Sequence, residues 1–170
     1  MNKYIFKPYN PIFPTLFKKE LNRLKKYLGN GFVIEHIGST AIPDLGGKGI
    51  IDIYITASQE QREKLFEELK NAGYEYREKA STFRRSFFRA DLPDPIEGKR
   101  RYHIHFGEPN STDFQEAIAF RDYLRGHPNE TKKYADVKKK AAQKANQDRT
   151  VYMQVKEPVI QEIFKKALGK

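Results

Sequence analysis

The segments Phe32-Val33-Ile34-Glu35-His36-Ile37-Gly38-Ser39 and Ile50-Ile51-Asp52-Ile53-Tyr54-Ile55-Thr56 decide how this chain folds. Both are rich in β-branched and aromatic residues and read as strands. The first ends at Gly38-Ser39, and the turn-rich stretch 40–49 connects it to the second. Alternation along the second strand points Ile51, Ile53 and Ile55 one way, and Asp52 and Tyr54 the other with Ile50 and Thr56. A carboxylate set among isoleucines is costly to bury unless it is paired, hydrogen-bonded or metal-bound. The strand pair therefore predicts a packed face and a face on which Asp52 needs partners.

The flanking pattern extends this to a whole domain. Phe13, Phe17, Leu21, Leu24 and Leu28 recur at helical spacing before Gly29-Asn30-Gly31. Past the second strand, Ser58 and Gln61 have capping-box spacing, and Leu65, Phe66 and Leu69 share a helical face that stops at Gly73. Tyr74 to Tyr76 then closes a strand-helix-strand unit. Residues 82–90 and 101–107 read as an antiparallel strand pair, with Leu92 to Gly98 as the connection. From Asp113 the pattern is helical, divided at Gly126-His127-Pro128 and again at 146–149 into about three helices. No repeat or long linker interrupts it, so residues 1–170 are expected to form one α/β (α+β) domain: a mixed β-sheet flanked by helices, with a C-terminal helical segment.

The 170 residues include no cysteine, which excludes disulfide scaffolds, thiolate metal sites and cysteine nucleophiles. Neither a signal peptide nor a membrane span is predicted, so a cytoplasmic location with no membrane partner is expected. The net charge of +10 favours anionic partners without choosing among them. Six lysines against one aspartate between residues 132 and 144 read as a solvated helix face, and nucleic acid is not the expected partner.

Gly46-Gly47-Lys48-Gly49 is neither a Walker A loop nor a dinucleotide fingerprint, because the required glycines and the following helix are missing. Gly38-Ser39 at a strand end, with Asp52 in the next strand, is similar to the layout of the nucleotidyltransferase superfamily. There glycine lets the backbone approach a triphosphate, serine offers a hydroxyl, and strand carboxylates hold divalent metal. The usual second carboxylate is replaced by Tyr54, a poor ligand for a hard cation, so two-metal chemistry is in question. His103 and His105 project from one face of their strand and suit a metal or an anion; with Asp52 they form an expected metal set. Ligand softness moves such a set away from magnesium, while phosphate chemistry favours magnesium or manganese, with zinc less expected. His36 is expected beside the same cleft. Arg85 is a candidate phosphate clamp, on a face shared with Phe87 and Arg89. The bland readings stay open: Asp52 paired with an arginine, exposed histidines on a strand face, and Arg121 and Asp122 in a surface ion pair.

Taken together, Lys7-Pro8-Tyr9-Asn10-Pro11, Glu35 through Pro43, Lys48, Ile51-Asp52-Ile53, Arg85-Ser86-Phe87-Phe88, His103-Ile104-His105 and Phe120 through Arg125 with His127-Pro128 resemble the GrpB family. Tyr134, Lys138, Tyr152 and Lys156 also fit it. The resemblance implies a nucleotidyltransferase-like fold and nucleotidyltransferase activity on a nucleotide or other phosphorylated ligand. By position, it implies Asp52 as the catalytic residue, and Gly38, Ser39, Lys48, Arg85 and Arg121 as nucleotide- or phosphate-binding. Asp52, His103 and His105 would be the metal ligands. The alternative is a catalytically inactive anion- or nucleotide-binding module. The family usually has Gly where Asp44 stands and Pro where Gly49 stands, so the loop around Lys48 is expected to be shaped differently here.

Overall fold

A computed structural model describes residues 3–170. Its sheet has five strands, β1 (Val33–Ile37), β2 (Ile51–Thr56), β3 (Glu75–Tyr76), β4 (Ser86–Asp94) and β5 (Gly98–Gly107), in the order β1-β2-β5-β4-β3. The β2 and β5 strands run parallel and the other neighbours antiparallel, so the sheet is mixed as expected. One face is sealed by α1 (Phe13–Leu28) and α2 (Arg62–Asn71). Leu16, Leu24, Leu65 and Leu69 pack there on Ile51, Ile53, Ile55, Phe88 and Ile104, all buried. Burying such side chains supplies about 1.5–3 kcal/mol each. The stripe at 3.6-residue period on α1 and the period-2 isoleucines of β2 are therefore two halves of one core.

The C-terminal segment forms three helices, α3 (Thr112–Gly126), α4 (Pro128–Ala145) and α5 (Arg149–Ala167). Their boundaries follow local chemistry. Ser111 accepts a hydrogen bond from Phe114 N, Pro128 starts α4, Asn146 ends it in the left-handed region (φ 40°), and Asp148 accepts from Thr150 N. These helices build a second core with Ile42 and Leu45 from the β1–β2 loop, and a third around Tyr4, Ala141, Ala145 and Tyr152. The loop is thus clamped from the far side of β2. Among the described residues, no helix is long and apolar enough to cross a membrane.

Two boundaries differ from the sequence expectation. Residues Thr82 to Arg85 close a turn on themselves, with Thr82 N donating to Arg85 O at 2.8 Å, so β4 starts at Ser86. At the other end, the connection expected from Leu92 to Gly98 is mostly strand, since Leu92 pairs with Arg100 and Pro93 with Lys99. Asp94 makes the tight turn possible by accepting the amides of Ile96 and Glu97 at 2.9 and 2.7 Å.

Candidate functional site

The chain leaves β1 at Gly38 with φ 73° and ψ −172°, a region open essentially only to glycine, and then forms a single 3-10 turn over Ser39–Ala41. Ile37 pairs with Asp52 across the strands, which places the Asp52 carboxylate under this turn. A β-carbon added at Gly38 would lie 2.7 Å from Asp52 Oδ2. Gly38→Ala is therefore expected to cost about 1–3 kcal/mol in urea unfolding and to displace Asp52; wild-type stability would contradict this close approach.

On β5, His103 pairs with Asp52 and His105 with Tyr54. His103 Nδ1 and His105 Nε2 both lie 3.2 Å from the same oxygen, Asp52 Oδ1. A carboxylate only accepts, so both ring nitrogens donate. Burial would raise the Asp52 carboxyl, but the two imidazole hydrogen bonds outweigh it and hold the group well below the usual carboxylate range. Tyr54 is 1% exposed, its ring tilted against Phe114 (5.1 Å between centroids), and its hydroxyl reaches Ser111 Oγ at 3.4 Å. Burial pushes that phenol up, so it is neutral.

Asp52 opens on a cleft of about 230 Å³ that the sheet and the helical segment form together. Ser39, Lys48, Ile50 and Asp52 line one side; Lys138 of α4 and Tyr152 and Lys156 of α5 line the other. Lys138 Nζ donates to Gly46 O at 2.8 Å, and a β-carbon at Gly47 would meet both Lys138 Nζ (2.6 Å) and Ser39 Oγ (2.7 Å). A side chain at position 47 would push that ammonium and that hydroxyl apart, so glycine there lets them converge. The Tyr152 ring lies 5.4 Å from Lys48 Nζ and 4.5 Å from Lys156 Nζ, two cation–π contacts on one ring. Among the described residues, none of the three lysines forms an ion pair. Burial, with Lys156 and Lys48 nearby, pushes Lys138 down to about 7; burial and Lys48 push Lys156 down to about 8, and Lys48 is also lowered, first by burial.

Of the residues singled out in the sequence, Gly38, Ser39, Lys48 and Asp52 come together here, with His103 and His105 on the carboxylate. Arg121 and Arg85 do not line this cleft. Arg121 Nη1 donates to Glu35 Oε2 (2.6 Å) and His36 O (2.9 Å), and its Nε donates to Asp122 (2.9 Å), which ties α3 to β1. His36 does not face the cleft: it pairs with Ile53 on the packed face, stacks on Phe17 at 4.7 Å, and burial lowers it to about 4. Lys138, Lys156 and Tyr152 were not predicted as site residues, and the lysines of the helical ends read as solvated surface. A signal existed at Lys138, which shares the inward stripe of α4 with Thr131, Tyr134, Ala135 and Ala141. The loop around Lys48 has left-handed backbone on either side of the lysine. Asp44 has φ 66°, where glycine is at ease, and Gly49 has φ 74°, which proline cannot adopt.

Both imidazoles are directed at one Asp52 oxygen, the position of a second carboxylate holds a buried neutral phenol, and no group of three His, Cys, Asp or Glu able to hold an ion occurs among the described residues. As placed, these residues fit a hydrogen-bonded carboxylate better than a pair of hard cations.

Residues 4–166 match the family model described as GrpB protein. A UPF0157 protein of Pseudomonas aeruginosa is 32% identical over 164 residues, covering 95% of this chain and 66% of the relative, so the chain spans about two thirds of that protein. The crystal structure of the conserved protein GrpB from Enterococcus faecalis superposes with a TM-score of 0.82 at 32% identity, covering 97% of this chain and 98% of that one. The Cid1 poly(U) polymerase, solved with MgGTP bound, aligns with a TM-score of 0.53 at 16% identity over 76% of this chain and 41% of its own. That likeness is one of fold: the mixed sheet and its helices are nucleotidyltransferase-like.

Proposed function

The chain belongs to the GrpB protein family, and from that premise we propose that it binds a nucleotide or similar polyphosphorylated ligand, with the phosphates in the cleft between Ser39 and Lys138. The observation that carries this reading is that Lys48, Lys138 and Lys156 line one cleft with Ser39, where three cations face the single Asp52 carboxylate and none forms an ion pair with it. Three cations held in one cleft, two of them pushed well below the usual lysine range, raise the free energy of the empty site. A multiply charged phosphate relieves that cost, and each ammonium supplies charge-assisted hydrogen bonds. Ser39 Oγ would donate to the same phosphate, and Gly47 gives both groups room. The Asp52 carboxylate, held by His103 and His105, would face the ligand rather than grip it.

The test is calorimetric titration with ATP and with inorganic pyrophosphate, with and without magnesium or manganese. Binding without metal is expected, and Asp52→Asn should leave it unchanged or tighten it by removing a repelling charge. No binding at millimolar ligand would end the reading. A metal requirement abolished by Asp52→Asn would replace it with a metal-centred site.

The lysines also set a pH dependence. Unliganded Lys138 and Lys156 lose their protons near 7 and 8, so affinity should fall more than tenfold between about pH 6 and about pH 10. The stability of the free protein runs the other way. Both groups bind protons more tightly in the unfolded chain (reference 10.5), so their destabilising effect is full below about 7 and is relieved as pH rises toward 10.5. Urea unfolding and ligand titration across this range should therefore move in opposite directions; parallel curves would contradict the assignment.

A further inference from the structure

At the opposite end of β2 from Asp52, roughly 15 Å along the strand, three guanidinium groups gather with no carboxylate paired to them. Arg62, Arg84 and Arg85 line a pocket of about 20 Å³ with Ala57, Gln59 and Ser86. Among the described residues none of the three arginines forms an ion pair, and Glu108, also in the lining, makes none with them. The Nε of Arg85 is buried and makes no hydrogen bond. Arg62, at the start of α2, reaches Ser86 Oγ at 3.4 Å and lies 5.2 Å from the Phe66 ring centroid, with no anionic partner. Three like charges around an unsatisfied donor are unfavourable without an anion among them.

The neighbouring turn supplies a second, different kind of contact. Phe83 is 87% exposed, the most exposed large apolar side chain described, with the Arg84 guanidinium 5.1 Å from its ring centroid. The pocket is large enough for one water-sized group, so a single phosphate oxygen enters and the rest of the ligand lies outside, over the turn that carries Phe83. Guanidinium forks for a phosphate beside a flat exposed ring for a base are the two contacts that grip a strand of nucleotides. We propose that Arg62, Arg84, Arg85 and Phe83 form a binding site for single-stranded nucleic acid, with a backbone phosphate on the guanidinium groups and a base stacked on Phe83. This site shares no lining residue with the lysine cleft and does not rest on the function proposed for it.

The experiment measures fluorescence anisotropy of a short fluorescein-labelled oligoadenylate with the intact chain at low salt. Phe83→Ala, at an exposed position, should keep the thermal unfolding profile and weaken binding roughly 5- to 100-fold. Arg84→Ala should reduce the slope of log affinity against log salt by about 0.7. Lys156→Ala, in the other cleft, should leave oligonucleotide binding unchanged. The inference is overturned if the oligonucleotide does not bind, if Phe83→Ala binds like wild type, or if inorganic phosphate binds while the oligonucleotide does not. It is equally overturned if Lys156→Ala, rather than Phe83→Ala, removes oligonucleotide binding, because the strand would then occupy the lysine cleft.

Discussion

Replacing Lys138 with Met lowers the affinity for ATP or pyrophosphate about 10- to 100-fold near neutral pH, the loss expected from one charge-assisted hydrogen bond of about 1.5–3 kcal/mol. Methionine keeps most of the stem's volume on the inward stripe of α4, so packing around Tyr134 and Ala141 is retained. What disappears is the ammonium that sits between Gly46 O and the space beside Ser39. The unliganded variant should also lose much of the rise in stability that wild type shows as pH increases above about 7, because its most depressed lysine is gone. Calorimetry and urea unfolding read the two effects separately. Unchanged affinity with unchanged pH dependence would remove Lys138 from the site.

The second large effect concerns what holds the cleft's floor in place. Arg100 and Asp94 form a buried pair with side chains 2% and 0% exposed, Nε to Oδ2 at 2.7 Å and Nη2 to Oδ1 at 3.3 Å. The same guanidinium donates to Gly49 O at 2.8 Å and lies 5.2 Å from the Phe13 ring. One side chain thus joins the β4–β5 turn, the loop carrying Lys48, and the start of α1. Truncating Arg100 leaves the Asp94 charge buried and unpaired, so Arg100→Ala should cost about 3–5 kcal/mol in urea unfolding, and Asp94→Ala somewhat less, because Arg100 keeps Glu97 at 3.8 Å. Arg100→Lys should recover only part of this, since an ammonium cannot make the two-pronged contact and still reach Gly49 O. A loss below about 1 kcal/mol in the alanine variants would mean the pair is replaceable by water.

The parts of this fold governed by short-range rules were readable in the sequence. The stripe from Phe13 to Leu28, the alternation at Ile51, Ile53 and Ile55, and the stops at Gly29 and Gly73 each depend on neighbours along the chain. Asp52 was likewise readable as a carboxylate in need of partners, and register supplied them in His103 and His105. What remained hidden depends on which elements meet. Lys138 and Lys156 line the cleft opposite Ser39 only because α4 and α5 pack against the β1–β2 loop through Ile42 and Leu45, and no spacing within 128–167 encodes that contact. His36 was misplaced for a related reason. Its antiparallel partner Ile53 fixes its face, and pairing cannot be read from one strand. The family resemblance put Arg121 among the phosphate ligands, yet its guanidinium is spent on Glu35, Asp122 and a main-chain carbonyl. Arg85 kept an unsatisfied nitrogen but faces a different pocket.

The most direct test of the lysine cleft is proton linkage: calorimetric titration, at about pH 8, of ATP, whose terminal phosphate has already lost its last proton there, repeated in buffers of different ionisation enthalpy. A phosphate seated among Lys48, Lys138 and Lys156 restores their protonation, so binding at this pH, where Lys138 is mostly neutral and Lys156 partly so, must take up protons from the buffer. The account predicts a net uptake between about 0.5 and about 1.5 protons per ligand, reduced in Lys138→Met. Binding with no proton uptake, or with release, would place the ligand away from these lysines and contradict the proposed site.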